Sequence, residues 1–204
     1  LFIELSKLDY IFVSSEISKK YFIKSFNKYA KDKKFKISKI INTGYLKLDH
    51  VFKKLNKIKR KNNYILVAPT ASNHYKNINL SNQLTGLINF LLIKKNKVIY
   101  RPHPMDLTKK GNLFLVKLII NKFKNFKNFE IDLSPSYLNS YAKSWILITD
   151  FSGTAYTYSF SSDKPVIFFN SKVKNNLSKD LKKLYYFKDR KMIGYIVSNF
   201  SELD

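Results

Sequence analysis

Two short polar segments hold the side chains best suited to chemistry. The first is Arg101-Pro102-His103-Pro104. Two prolines confine the backbone on either side of His103, so its imidazole sits in an extended turn with few alternatives. A cationic or N–H-donating imidazole beside an arginine suits a phosphate or diphosphate. The second is Thr149-Asp150-Phe151-Ser152-Gly153-Thr154. Ser152 is a good helix N-cap, and Gly153 lets a ligand come close to the backbone. Free N–H groups at a helix start, flanked by the Ser152 and Thr154 hydroxyls, form an anion site. Each segment alone has a plainer reading: a rigid turn with an exposed histidine, or a serine that only caps a helix. Placed together, they favour a site.

The surrounding elements decide that placement. Residues 145–148 and 165–169 are apolar runs without alternation, as in strands buried on both faces of a parallel sheet. Residues 64–68, 97–100, 129–132 and 194–197 read as further strands. Helices are expected over 82–93, 113–123 and 177–184, and from Ser134-Pro135, where Pro takes the favoured first position. Upstream, residues 9–14 and 37–42 read as strands. Residues 15–30 read as a helix that turns Tyr21, Phe22 and Phe26 to a core. Residues 46–58 read as another, with Leu48, Val51, Phe52 and Leu55 on one face and His50 beside it. The run 31–36 is a solvated charge run. Strands and helices alternate throughout, which predicts an α/β protein with parallel sheets and right-handed crossovers. Ligands in such sheets sit at the strands' C-terminal ends. Three polar loops fall there: the one from Pro69-Thr70 to His74, the His103 loop and the Asp150–Thr154 loop.

Residues 57–62 are polar and charged and are the expected linker. It separates a first-domain remnant, residues 1–56, from a second domain, residues 63–204. The 204 residues are 45% hydrophobic, enough for a substantial core. The chain has no Cys, which excludes disulfides and thiolate metal sites. Neither a metal nor a cofactor is expected. The net charge of +24 calls for a polyanionic partner or reflects a bias in composition. The lysines are spread out and no recognition motif accompanies them, so nucleic acid is not expected. An anionic membrane surface or a phosphate polymer fits better. No apolar run approaches the ~20 residues that span a bilayer, and no signal peptide is visible. The expectation is a cytoplasmic protein, peripheral at the inner face of the membrane. The first residue is Leu1, and further sequence is expected upstream of it.

Several segments resemble one family. Arg101-Pro102-His103-Pro104, Ile148-Thr149-Asp150-Phe151-Ser152 and Lys164-Pro165-Val166-Ile167-Phe168 look like the C-terminal domain of CDP-glycerol glycerophosphotransferases. These are teichoic-acid and capsule polymerases and primases. Thr43-Gly44-Tyr45-Leu46-Lys47-Leu48-Asp49 resembles the family's Gly-Tyr-Pro-Arg-x-Asp segment, with Leu46 in place of Pro. Leu66-Val67-Ala68-Pro69-Thr70 resembles its Tyr-Ala-Pro-Thr strand end, and Arg190 with Gly194 its late Arg…Gly pattern. Phe151-Ser152-Gly153 stands where the family has Tyr-Ser-Ser.

The resemblance implies a GT-B fold, with the end of one Rossmann-like domain followed by a complete nucleotide-donor-binding one. It implies metal-independent transfer of glycerol phosphate, or a related polyol phosphate, from a CDP-linked donor to a membrane-associated glycan or phosphate polymer. By position, His103 would stabilise the departing CMP. Arg101, Thr149, Asp150, Ser152, Gly153, Thr154, Pro69 and Thr70 would hold the donor. The family's His-Gly-Thr-Pro segment, with its general-base candidate, would lie upstream. Two other readings compete. One is a different GT-B enzyme of surface polysaccharide synthesis, a sialyl- or hexosyltransferase or a UDP-sugar 2-epimerase. The other is a non-catalytic basic module that binds anionic polymer.

Overall fold

The computed structural model describes residues 2–30, 38–74, 79–108, 112–169, 187 and 189–203. The helix expected over 177–184 and the charge run over 31–36 lie outside them. The chain divides into two compact units, Leu1–Val51 and Phe52–Asp204.

In the first unit, β1 (Tyr10–Val13) and β2 (Lys39–Asn42) pair in parallel. Helix α2 (Glu16–Ala30) connects them, after a short α1 (Phe2–Leu5). Ser15 opens α2, its hydroxyl accepting from Ser18 N at 3.1 Å. Phe26 is buried with Ile11, Val13 and Ile40, and Phe22 packs against them. Tyr21 does not join them. It is 63% exposed and turns away from the strands. Helix α3 (Leu46–Leu55) buries Val51 and Leu55, leaves Phe52 46% exposed, and stops short of the expected residue 58. The boundary between the units falls inside it. Residues beyond it are tied into the second unit, where Lys61 N donates to Ala142 O (3.0 Å) and Asn63 N to Lys143 O (2.9 Å).

The second unit is built on six strands: β3 (Tyr64–Val67), β4 (Val98–Tyr100), β5 (Phe129–Ile131), β6 (Ser144–Thr149), β7 (Val166–Phe169) and β8 (Gly194–Val197). Their order is β5-β4-β3-β6-β7-β8, and every pairing is parallel. The chain therefore winds outward from β3 in one direction, returns, and winds outward from β6 in the other. The switch point lies between β3 and β6, and a crevice opens there at the strands' C-terminal ends. The crossovers are α4 (Leu84–Ile93), α5 (Leu113–Phe123), α6 (Leu138–Lys143), α7 (Thr154–Ser162) and α8 (Arg190–Ile193).

A large buried cluster runs through this unit. It joins Val67, Val98, Tyr100 and Ile148 of the sheet to Leu87, Ile88 and Leu91 of α4 and to Ile119 and Phe123 of α5. Each such side chain contributes roughly 1.5–3 kcal/mol by burial. Ser134-Pro135 does not open α6, which starts only at Leu138. Asp132 accepts from Ser134 N at 2.9 Å and from its hydroxyl, while the Arg101 guanidinium takes the carbonyls of Ser134 (2.9 Å) and Ser136 (3.4 Å). These local bonds hold a turn where helix propensity alone would begin a helix. Gly194 has a steric reason to be glycine: an added Cβ would lie 1.7 Å from Val166 O.

Candidate active site

The three loops expected at the sheet's C-terminal edge meet there. Ala68, Pro69, Arg101, Pro102, His103, Pro104, Ser152 and Thr154, with Tyr137 and Tyr141, line a cavity of about 50 Å³.

His103 is presented by the end of β4 and caps a single 3-10 turn, Pro104–Leu107. Its Nδ1 accepts from Met105 N at 3.2 Å. An imidazole that accepts at Nδ1 carries its proton on Nε2. Burial lowers its pKa from the ordinary value. Asp106 and Asp150 oppose that shift and His74 reinforces it. At neutral pH His103 is therefore a neutral ring with one N–H to give. Of the two forms the sequence allows, this is the N–H donor and not the imidazolium.

Asp150 has no exposed surface. Its Oδ1 accepts from Thr70 N (2.8 Å) and Phe151 N (2.7 Å), and its Oδ2 from Leu80 N (2.8 Å). Burial raises its pKa, and these three N–H groups pull it back. The carboxylate is spent on binding the β3 loop to the β6 loop. Thr149 works in the same direction: its hydroxyl is fully buried and donates to Ala68 O at 2.6 Å. Asp106 repeats the device between the β3 and β4 loops, accepting from Ser72 N at 3.1 Å and from Ser72 Oγ at 2.7 Å.

Arg101 borders the cavity, but its guanidinium is paired with Asp132 at 2.6 Å. Burial acts to raise the Asp132 pKa. The Ser134 and Ser140 hydroxyls, Ser134 N and Arg101 outweigh it and hold the carboxyl below its usual range. Four residues expected to touch the donor, Arg101, Thr149, Asp150 and, through its backbone N, Thr70, take part in bonds that tie the loops together.

Ser152, Gly153 and Thr154 open onto the crevice. The Ser152 hydroxyl accepts from Thr154 N at 3.3 Å in a local turn, but the residue at the N-cap of α7 is Gly153, one position later than the expected Ser152. Nothing lies within 4 Å of where a Gly153 Cβ would be, so the backbone is open to a ligand.

Tyr137 and Tyr141 gave no signal in the sequence, because α6 reads as an ordinary amphipathic helix. Their rings lie 4.7 Å apart, and Tyr141 is 1% exposed. Its buried hydroxyl lies beside the Thr154 side chain at the start of α7, and no strong hydrogen bond holds it among the described residues.

In the first unit, a separate cavity of about 450 Å³ lies at the C-terminal ends of β1 and β2, lined in part by Ser14, Thr43 and Gly44. Gly44 has φ +72°, which glycine adopts without strain.

An all-parallel sheet with this order and a polar crevice at its switch point defines the Rossmann-like domain of a GT-B-type protein. Solved structures agree in fold. The wall teichoic acid polymerase TagF, in a variant soaked with CDPG, superposes with a TM-score of 0.54 at 19% identity, over 96% of this chain and 47% of that one. TagF without substitution gives 0.52 at 20% identity, over 96% and 47%. The UDP-GlcNAc 2-epimerase of Methanocaldococcus jannaschii, in complex with UDP-GlcNAc and UDP, gives 0.53 at 15% identity, over 96% and 52%. The chain thus spans about half the length of these proteins. No curated protein matches it. The chain belongs to the CDP-glycerol:poly(glycerophosphate) glycerophosphotransferase family, whose sequence model matches residues 2–203.

Proposed function

We propose that this protein transfers glycerol phosphate, or a related polyol phosphate, from a CDP-linked donor to a membrane-associated glycan or phosphate-polymer acceptor. The second unit holds the donor with its diphosphate in the crevice between the His103 loop and the start of α7. An acceptor hydroxyl oxygen attacks the phosphorus of the polyol phosphate and gives up its proton to solvent or to the general base expected upstream, the bond to the bridging oxygen breaks, and CMP leaves with the electron pair. Negative charge grows on the departing phosphate. His103 Nε2–H is placed to meet it, while the α7 N–H groups and the Ser152 and Thr154 hydroxyls hold the phosphates in both ground and transition states. Thr149, Asp150, Thr70, Asp106 and Arg101 keep the three loops in register. The net charge of +24 brings the protein to an anionic membrane, and the reading places it at the cytoplasmic face. Among the described residues, no helix is long and apolar enough to cross a membrane.

The observation that carries this reading is the Met105 N–H bond into His103 Nδ1, which leaves the Nε2–H as the ring's free donor in a residue that lines the cavity with Ser152 and Thr154. Thermal unfolding with CDP, UDP and ADP tests the binding half. CDP at ~100 times its dissociation constant is expected to add about 2.7 kcal/mol. A shift with UDP alone would favour the epimerase-like reading, and none at millimolar CDP would remove the site assignment. In a form that turns over, His103→Ala is expected to lower kcat by roughly 100- to 1000-fold with little change in donor affinity. Unchanged kcat would place His103 outside the chemistry.

A further inference from the structure

In a parallel sheet, every connection that leads into a strand returns to the same edge, opposite the ligand crevice. Lys59 and Lys61 precede β3, Lys94 and Lys97 precede β4, and Lys124 and Lys127 precede β5, all six exposed. Because β5, β4 and β3 are neighbours, the topology brings these six exposed residues to adjacent places along one edge. Lys143 extends the row at the start of β6. The Lys97 and Lys143 ammoniums lie 5.9 and 5.6 Å from the Tyr64 ring centroid, which shows how closely the connections converge. The carboxylate of Glu130, within the patch, is occupied by Lys143 and the Tyr64 hydroxyl. Asp163 lies farther along, ahead of β7.

The same edge exposes apolar groups. Between Tyr64↔Ser144 and Ile65↔Ile146 the β3–β6 register shifts, so Trp145 has no partner residue and is 46% exposed. A bulge of this kind re-aims a side chain. Ile93, 66% exposed, and Phe126, 39% exposed, lie in the connections before β4 and β5.

We propose that this N-terminal edge of the six-stranded sheet is the face by which the protein lies on an anionic lipid bilayer. The proposal rests on the reading that the protein works at such a surface, and adds which face meets it. Lysines alone would suit a soluble phosphate polymer equally well. The indole and two apolar side chains among them match the boundary between headgroups and acyl chains. Docked in this way, the crevice at the opposite edge stays open to a soluble donor and to an acceptor chain extending from the membrane.

Trp145 is the sole tryptophan, so its fluorescence reports on this face alone. The full chain is titrated with phosphatidylglycerol and with phosphatidylcholine vesicles. With phosphatidylglycerol, the Trp145 emission is expected to shift to the blue and to be quenched by brominated acyl chains. The effect should fade as salt rises, since exposed charges are screened over about 10 Å at 0.1 M. The triple change K94E/K97E/K124E is expected to weaken vesicle binding at least about tenfold, taking each lost lysine contact as a share of the surface attraction. K20E/K24E/K28E on α2 should weaken it far less. Sedimentation with the vesicles but unchanged Trp145 emission, or equal sensitivity to both triple changes, would overturn this face and leave the membrane reading standing. No sedimentation at low salt would overturn the membrane reading too, while a CDP thermal shift would still uphold donor binding. Retention of poly(glycerol phosphate) without vesicle binding would make the patch a polymer site and overturn the proposal.

Discussion

The two edges of the six-stranded sheet use charge in opposite ways. At the C-terminal edge, Asp150, Asp106, Asp132 and Arg101 are all turned inward, onto N–H groups, hydroxyls or each other. They shape three loops around a crevice and leave little net charge for a ligand to meet. At the N-terminal edge most charged side chains point into solvent; Glu130 with Lys143, and Lys164 ahead of β7, are the exceptions. Buried charges are costly unless fully bonded, so they persist where geometry must be fixed. Exposed lysines cost little and fix nothing, which suits a surface that meets a soft, extended partner. The same fold thus separates a precise site from a diffuse one by the length of a strand.

Asp150→Ala should break the comparison most sharply. It strands three buried N–H groups of Thr70, Phe151 and Leu80 and is expected to cost roughly 3 kcal/mol or more, read from urea unfolding. A loss within about 0.5 kcal/mol, the range of an ordinary surface change, would mean that the loops do not depend on it.

Lys164 carries the inward use of charge away from the crevice. It is 8% exposed and its Nζ donates to Tyr141 O (2.8 Å) and Ser144 O (2.5 Å), closing the end of α6. Burial, with a smaller contribution from Arg60, lowers its pKa from 10.5 to about 8. Below pH 8 the lysine is protonated in folded and unfolded chains alike, and the folded state bears the full cost of the buried charge. Between about pH 8 and 10.5 the unfolded chain binds more protons, so stability rises with pH. The neutral amine keeps two N–H groups for the two carbonyls. Relative to Lys164→Met, the wild type is expected to gain up to about 1.4 kcal/mol per pH unit across that window. Parallel stability curves for the two proteins would show that the ammonium is not buried at a cost.

The smallest effect belongs to the outward lysines. Lys59→Gln and Lys127→Gln are expected to change unfolding free energy by no more than about 0.5 kcal/mol. A larger loss from either would assign the N-terminal edge a part in folding and blur the contrast between the edges.

Much of this was legible in the sequence. Unbroken apolar runs such as Ile146-Leu147-Ile148 marked buried parallel strands, because only a sheet covered on both faces tolerates them, while Trp145, read with the same run, is 46% exposed. The alternation of strands and helices then placed the His103 loop and the Ser152–Thr154 turn at one edge, since strands joined by crossovers run parallel and share one C-terminal edge. Local chemistry was enough for the start of α2 at Ser15, whose hydroxyl needs only Ser18 N. Tertiary structure decided what depends on residues far apart in the chain. Asp150 reads as a polar residue beside a site, yet its partners Thr70 and Leu80 stand 80 and 70 positions away, and they make it a support. Arg101 reads as a phosphate ligand until Asp132 and the carbonyls after it claim the guanidinium. The buried hydroxyl of Tyr141 and the extruded Trp145 are likewise invisible in the sequence. One depends on what packs around α6, the other on a register shift between strands 80 residues apart. Sequence determines which groups a segment carries and how it repeats, while the enclosure that assigns those groups their partners exists only once the sheet has closed around them.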